Sequence, residues 1–479
     1  MTPSLRPYQH RSIAELRPVL RERPLLVIPT GGGKTHVACE MIRRVTERGY
    51  RTLFVAHRAE LIDQAVARLA QFGLDAGVIM ADRPRRESMI QVGTVQTLAR
   101  RDLPPADFVV VDEAHHVAEG AKQYLRVLKH YPQAWTVGLT ATPFRLDGKG
   151  LGFVFGAIVA PVTVRDLIDA GAILEPEVFA PGGAPDLRGV KSRGGDFSQD
   201  DLDERFNKRE LVGSIVEHWQ TLAAGRRTIV FAVSLAHSRL IVERFREAGI
   251  AAEHVEAGSE DRAAIFARLA RGETLIVSNV GIATEGWDLP ELEVCVLARP
   301  TKSLALHLQM VGRIMRAIPG KSCRVLDHAG NHNRLGLVTD PIEYSLSDRV
   351  RSMVNPVRTC GDCGAVFRGV ACPHCGITDR AEGSAPIELP TETSGKLVKF
   401  TRTDKESEYA QLVEYASAKR LSLAWARHKY RAKFGVWPAK MGRIEARYHC
   451  DDHEWRPMST GAIRCRFCFA YPNEAEAAA

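Results

Sequence analysis

Residues 29–35 read Pro-Thr-Gly-Gly-Gly-Lys-Thr, directly after the apolar run Leu25–Ile28 and directly before a stretch with helical periodicity. Side-chain-free glycines allow backbone amides to wrap an anion at a helix amino terminus, so Thr30, Gly31, Gly32 and Gly33 form a candidate phosphate cradle. Lys34 would reach the β and γ phosphates of ATP, and the Thr35 hydroxyl would coordinate Mg2+. The strict pattern asks for glycine at position 28, where this chain carries Ile28. Further on, Asp-Glu-Ala-His at 112–115 closes the apolar run Phe108–Val111. Paired carboxylates at a strand end divide the work of phosphoryl transfer, Asp112 holding magnesium and Glu113 polarising the attacking water. That transfer also needs positive charge on the equatorial oxygens. Arg313 and Arg316, with Gln309 and Gly312 beside them, are spaced one turn apart on a predicted helix face and are the candidates to supply it.

A second chemistry lies near the carboxyl terminus. Of the ten cysteines, Cys360 and Cys363, then Cys372 and Cys375, form two CxxC pairs separated by eight residues. Four thiolates at this spacing suit tetrahedral Zn2+ in a small ribbon, with a redox dithiol as the alternative reading of either pair. A second cluster comprises Cys450, His453, Cys465 and Cys468, with His449 as a competing ligand. Cys39, Cys295 and Cys323 lie in apolar segments and are expected to be packing residues.

The elements that must position these groups are legible from patterning. LLVIPT, RTLFVA, DFVVVDEAH and WTVGLTAT read as buried strands separated by helical stretches such as RAELIDQAVARLAQFG. The alternation recurs in TIVFAV, AEHVEAG, TLIVSN, EVCVLAR and SCRVLD. Two α/β lobes with mostly parallel sheets are implied. Between them, PGGAPDLRGVKSRGGD reads as a loop or hinge, and AEGSAPIELPTETSG after the first cysteine cluster reads as a flexible linker. SLAWARHKYRAKFGVWPAKMGRIEARYH mixes cations with Trp425, Tyr430, Phe434 and Trp437. It suits either a strand-binding accessory or a small helical core with basic residues facing water.

Composition narrows the class. With 479 residues, 45% hydrophobic and 25% charged, the chain has material for roughly three compact units. A formal net charge of +8 leans towards an anionic partner. No run approaches the roughly eighteen apolar residues of a membrane span, and MTPSLRPYQHR lacks a signal-peptide core, so a cytoplasmic protein is expected.

With these motifs in order, residues 5–330 resemble a superfamily 2 DEAD/DEAH-box helicase. LRPYQ at 5–9 resembles the adenine-recognising element, in which Gln9 would read the base. VAHRAEL and GTVQTL match first-lobe strand-contact motifs and implicate Arg58, Thr94 and Gln96 in nucleic-acid contact; TEGWDLP implicates Thr284 in the same role, with Gly286 and Asp288 near the nucleotide. His115, Thr140 and Thr142 would couple hydrolysis to movement, and Gln309 would join the catalytic set. LTATPFRLDGKG, ARPTKSLALHLQMVGRIMR and PGKSCRVLDHAGN are most similar to the bacterial RadD-type DNA repair helicases and their phage relatives.

The resemblance implies two RecA-like parallel-sheet lobes followed by small zinc-binding modules. The expected order is a first lobe at 1–160, a hinge at 161–204, a second lobe at 205–350, a zinc ribbon at 355–380 and a linker at 381–400. A basic helical segment at 401–446 and a second zinc module at 447–472 would follow. It further implies an ATP-dependent DNA helicase or translocase in repair or recombination, on single-stranded or forked DNA, with repair or replication proteins as partners. Most contacts would go to phosphate and sugar. A duplex translocase without strand separation, a zinc-dependent DNA-binding adaptor with a switch ATPase, and an RNA helicase remain open at this stage. The region after residue 355 is expected to supply DNA affinity, because every hydrolytic motif precedes it.

Overall fold

The computed structural model describes residues 3–81, 83, 86–118, 121–143, 150–181, 185, 187–207, 209–282, 289–347, 357–361, 363–368 and 372–375, with 409–414, 416, 426–427, 429–430, 455–457 and 463–465 beyond them. The amino-terminal part is a seven-stranded sheet: β1 (Pro24–Val27), β2 (Thr52–Ala56), β3 (Ala76–Ile79), β4 (Ile90–Thr94), β5 (Phe108–Val111), β6 (Trp135–Thr140) and β7 (Ala157–Val159). Its spatial order is β3-β4-β2-β5-β6-β1-β7, with parallel pairing throughout. Every residue of β1, β2, β4 and β5 is buried because helices cover both faces, and in β1, β2 and β5 this writes near-continuous apolar runs. Those helices are α1 (Pro7–Leu16), α2 (Lys34–Thr46), α3 (Ala59–Gln71), α4 (Val95–Leu98) and α5 (Ala121–His130).

The segment expected as a hinge is more structured than its glycines and prolines suggest. It carries α6 (Val164–Asp169), β8 (Glu177–Phe179), the hairpin of β9 (Ser192–Arg193) and β10 (Asp196–Phe197), and α7 (Gln199–Phe206). Strand β8 joins the second lobe's sheet. That sheet continues through α8 (Arg209–Leu222), β11 (Thr228–Phe231), α9 (Leu235–Glu247), β12 (Ala252–Val255), α10 (Arg262–Arg271), β13 (Ile276–Asn279) and β14 (Val294–Leu297). It ends with α11 (Leu304–Gly312), β15 (Arg324–Asp327) and α12 (Asn331–Leu335).

Nor is the first cysteine module a separate ribbon. Its strands β16 (Arg358–Thr359) and β17 (Ala365–Phe367) extend the second sheet, whose order is β12-β13-β11-β14-β15-β8-β17-β16. Pairing is parallel from β12 to β8 and antiparallel from β8 to β17 and β16. The reason is geometric: β8 leaves one edge unpaired, and Ala365 and Val366 pair with Phe179 and Val178 to cover it. Phe367, Cys360 and Cys372 pack in the same core as Phe179 and Trp219. The end of the expected second lobe crosses back: Leu346 accepts from the Gly152 amide at 2.9 Å, and Tyr344 and Leu346 pack on the first lobe's core.

Cys39, Cys295 and Cys323 are buried. Among the described residues, no helix is long and apolar enough to cross a membrane. Tyr430 is buried with its ring centroid 5.0 Å from that of Tyr409, edge to face, so at this position the basic aromatic stretch forms a core rather than a stacking platform. Trp425, Phe434 and Trp437, the linker at 381–400 and most of 447–472 lie outside the described residues.

Candidate nucleotide and metal sites

Strands β5, β6 and β1 are neighbours, so the loops at their carboxyl ends converge, the usual place for a ligand on a parallel sheet. The loop after β1 holds Gly31 and Gly33 at φ of +84° and +79°, a left-handed region that side chains disfavour, before α2 opens at Lys34. Ile28 packs beneath this cradle, its Cγ2 only 2.5 Å from where a Cβ on Gly32 would stand. Its amide continues the pairing to the Thr140 carbonyl at 3.1 Å and its side chain is fully buried, so a bulky residue is accommodated there.

Lys34 Nζ lies 3.1 Å from Glu113 Oε1. Glu113 itself sits at φ +45°, an uncommon conformation for a non-glycine residue, and its amide donates to Asp112 Oδ1 at 3.0 Å. Burial, reinforced by the neighbouring Glu113 charge and opposed by Lys34, pushes the Asp112 carboxyl up to about 7. A buried carboxylate beside Glu113, with Lys34 as the opposing cation, fits a divalent ion held by Asp112 and the Thr35 hydroxyl at the start of α2.

His115 links this centre to its surroundings. Its Nδ1 is 3.1 Å from Thr140 Oγ1 and 3.4 Å from Glu113 Oε2, while its Nε2 is 3.4 Å from Gln309 Nε2 on α11 of the second lobe. Thr140 Oγ1 donates to the Thr142 carbonyl at 2.9 Å, which leaves its lone pairs for His115 and the Thr142 amide. His115 is therefore assigned as the Nδ1–H tautomer, with Nε2 accepting from the Gln309 amide. The His116 ring lies 4.3 Å from His115 and 3.8 Å from His57, and the His57 carbonyl accepts from Gln96 at 3.1 Å. Thr94 caps α4, its hydroxyl accepting from the Thr97 amide, and Arg58 stands at the amino-terminal boundary of α3.

The second lobe and the connector press on the phosphate loop. A Cβ on Gly312 would lie 2.8 Å from Thr30 Cβ, and one on Gly31 would lie 2.6 Å from Ile173 Cγ2. Gln9 donates to the Gly32 carbonyl at 3.3 Å and accepts from the Arg6 amide at 2.9 Å. Arg313 and Arg316 do not share a helix face, as their spacing suggests. Helix α11 ends at Gly312, with Arg313 as its C-cap, because the next residues pair with the connector: the Leu174 amide donates to the Met315 carbonyl at 2.7 Å and Ile173 bridges Arg316. Sequence reading also passed over His36, whose imidazole pKa is lowered by burial and then by the charges of Arg68, Arg316 and Arg6. Three cations thus converge beside the cradle, drawn from α3, the chain after α11 and the chain before α1; no local pattern signals it. Thr284, Gly286 and Asp288 lie outside the described residues.

The sulfurs of Cys360, Cys363, Cys372 and Cys375 all lie within 4.8 Å of one another, with two pairs at 3.6 Å. Tetrahedral thiolate zinc at Zn–S distances of about 2.3 Å separates sulfurs by about 3.8 Å, so the cluster fits that ion. The turn is held by the Cys360 amide donating to the Ala365 carbonyl at 2.8 Å and by Gly364 at φ +72°. Cys450, His453 and Cys468 lie outside the described residues, as does the side chain of Cys465.

Comparison with known proteins follows the same two-lobe division. Residues 2–145 match the family described as the res subunit of type III restriction enzymes, and residues 207–318 match the conserved carboxyl-terminal helicase domain. A 51.5 kDa protein of a Lactococcus phage is 29% identical, with 71% of this chain and 74% of that protein covered. The Saccharomyces cerevisiae protein IRC3, named as a candidate ATP-dependent helicase, is 30% identical over 71% of this chain, which spans only 55% of IRC3. A fragment of an HsdR-type subunit of a type I restriction enzyme from Vibrio vulnificus shares the fold, with a TM-score of 0.56 at 20% identity over 71% of this chain and 68% of that fragment. Two matched regions in the order of the two lobes, meeting at a phosphate-binding cleft, place the chain in superfamily 2 of the helicases, a superfamily of nucleic-acid-dependent ATPases.

Proposed function

We propose that the chain is an ATP-driven DNA motor, a helicase or translocase that works in DNA repair or recombination. The observation that carries this reading is His115, which touches Glu113 and Thr140 of the first lobe and Gln309 of the second, so a change at the nucleotide is felt across the cleft. In this reading Thr30 to Thr35 cradle the phosphates, Gln9 reads the base, and Glu113 orients the attacking water once ATP draws Lys34 away from it. Bound magnesium supplies charge neutralisation on the phosphate oxygens. Arg313 and Arg316 add positive charge from the second lobe, with Gly286 and Asp288 near the nucleotide. Arg58, Thr94, Gln96 and Thr284 face the nucleic acid, and the Gln96–His57–His116–His115 series joins that face to the hydrolytic centre.

DNA rather than RNA is supported by a relative whose name carries it. A DNA 3'-5' translocase of Sulfurisphaera tokodaii is 28% identical over 34% of this chain and 36% of that protein, and that name equally favours translocation without strand separation as a second reading. The repair role rests on the RadD-like segments at 139–150, 298–316 and 319–331, and repair or replication proteins are the partners it implies. Zn2+ at the four-cysteine cluster is structural and fits a reducing compartment such as the cytoplasm; Cys450, His453, Cys465 and Cys468 form a second zinc site. ATPase rates with single-stranded, duplex and forked DNA and with RNA, each against a Glu113→Gln blank, test the assignment. Stimulation by DNA alone supports it; stimulation by RNA alone, or by no nucleic acid, overturns it. Strand displacement from the fork then separates helicase from translocase.

A further inference from the structure

Leaving α11 at Gly312 deprives Arg316 of a helical ladder to hold it in place. Its neighbours on one side are the connector residues Ile173 and Leu174, through the bridge and the Met315 carbonyl. On the other side is Lys321, five residues further on, after a turn through Pro319 and Gly320 at φ +76°. Lys321 Nζ donates to the Arg316 carbonyl at 3.0 Å and to the Pro290 carbonyl at 2.6 Å. Pro290 closes the TEGWDLP motif in the sequence, so one ammonium joins the chain after α11 to the end of the segment that the proposed function sets near the nucleotide.

We propose that Lys321 is a positioning residue of the ATPase: it clamps the backbone of Arg316 to that of Pro290 and so sets where the Arg316 guanidinium stands when the lobes meet. An ammonium suits the task because it offers three donors from one point, enough to hold two carbonyls that belong to different loops. A methylene chain of the same length would leave both carbonyls without this donor and the two loops free to separate. The inference rests on the reading of Arg316 as a source of charge for phosphoryl transfer.

The surroundings make the clamp responsive to pH. Burial lowers the Lys321 pKa to about 8; Cys323, Glu293 and Glu291 oppose that shift, and the Arg316 charge adds to it. The ammonium is thus present at neutral pH and is lost as pH rises through about 8, where the remaining amine is the weaker donor. Hydrolysis by the parental chain should fall over that range, and arginine at this position, which stays charged, should remove the fall.

The test is DNA-stimulated ATPase of the full chain from about pH 6.5 to 9.5, comparing parent, Lys321→Met, Lys321→Arg and Arg316→Ala. Lys321→Met should lower kcat by on the order of tenfold with KM for ATP within about twofold, and its profile should lack the alkaline fall. Lys321→Arg should recover most of the kcat and carry activity to higher pH. Parental kcat in Lys321→Met, or an unchanged alkaline fall in Lys321→Arg, overturns the proposal, and the second comparison decides it even where Lys321→Met fails to fold. Parental kcat in Arg316→Ala would instead overturn the reading of Arg316, whereas loss there with a parental Lys321→Met overturns only the role given to Lys321.

Discussion

Phe367→Ala distinguishes a cysteine module that is part of the second lobe from one that merely follows it. Phe367 is 5% exposed and packs with Phe179, Trp219, Cys360 and Cys372, and β17 pairs with β8 through Ala365 and Val366. Removing a buried phenylalanine ring costs about 3–5 kcal/mol, combining lost transfer energy with the cavity left behind. For a unit of this size each kcal/mol moves the midpoint by about 2–4 °C, so the transition of the second lobe should fall by roughly 6–20 °C. Calorimetry of the full chain, with ATP binding as a reporter of the first lobe, reads this directly. The first-lobe transition should stay within about 2 °C of the parent. If the large transitions are unchanged while zinc content drops, the module is an independent ribbon and the shared core carries little energy. The same reasoning applies to a fragment ending near residue 350. It would strip β16 and β17 from the sheet and uncover Phe179, so it should lose hydrolysis as well as DNA affinity.

Three further outcomes test the cleft. Glu113→Gln should abolish turnover, by more than about a hundredfold, while ATP binding persists, since Asp112 and Lys34 remain; single-turnover hydrolysis at the parental rate would assign the base elsewhere. Asp112→Asn should remove magnesium-dependent hydrolysis yet stabilise the nucleotide-free chain. The carboxyl rises from 3.8 to about 7 on folding, so between those values the folded state holds a proton that the unfolded state has released. Stability falls as pH rises through that window, by at most about 4 kcal/mol. The asparagine variant should therefore melt higher than the parent at about pH 7.5 and equally at about pH 4, and equal midpoints at the higher pH would refute the burial argument. His115→Ala should lower DNA-stimulated kcat by about tenfold or more with ATP affinity within about twofold; parental stimulation would remove His115 from the link between the lobes.

What could be read from the chain divides along a physical line. LLVIPT, RTLFVA, FVVV and the strands of the second lobe are legible because burial on both faces writes a continuous apolar run, and the chemical residues are legible because they stand at the ends of those runs. The three-residue strands EVF at 177–179 and AVF at 365–367 are too short to carry a period. The cysteine spacing announces a metal but cannot announce that its turn closes a sheet edge. Arg313 and Arg316 show the limit most clearly. Their i, i+3 spacing is a valid helical pattern, and α11 does run to Gly312, but the stop is imposed by Ile173 and Leu174, about 140 residues earlier in the chain. Gly312 makes the same point from the other direction. It is one more glycine in the sequence, yet in the structure it is where the second lobe meets Thr30 of the phosphate loop, at a distance that leaves no room for a Cβ. Residue identity at a motor's cleft is local information, whereas the contacts that let one lobe sense the other are tertiary. His115, Gly312 and Lys321 therefore acquire their meaning only once both sheets are folded.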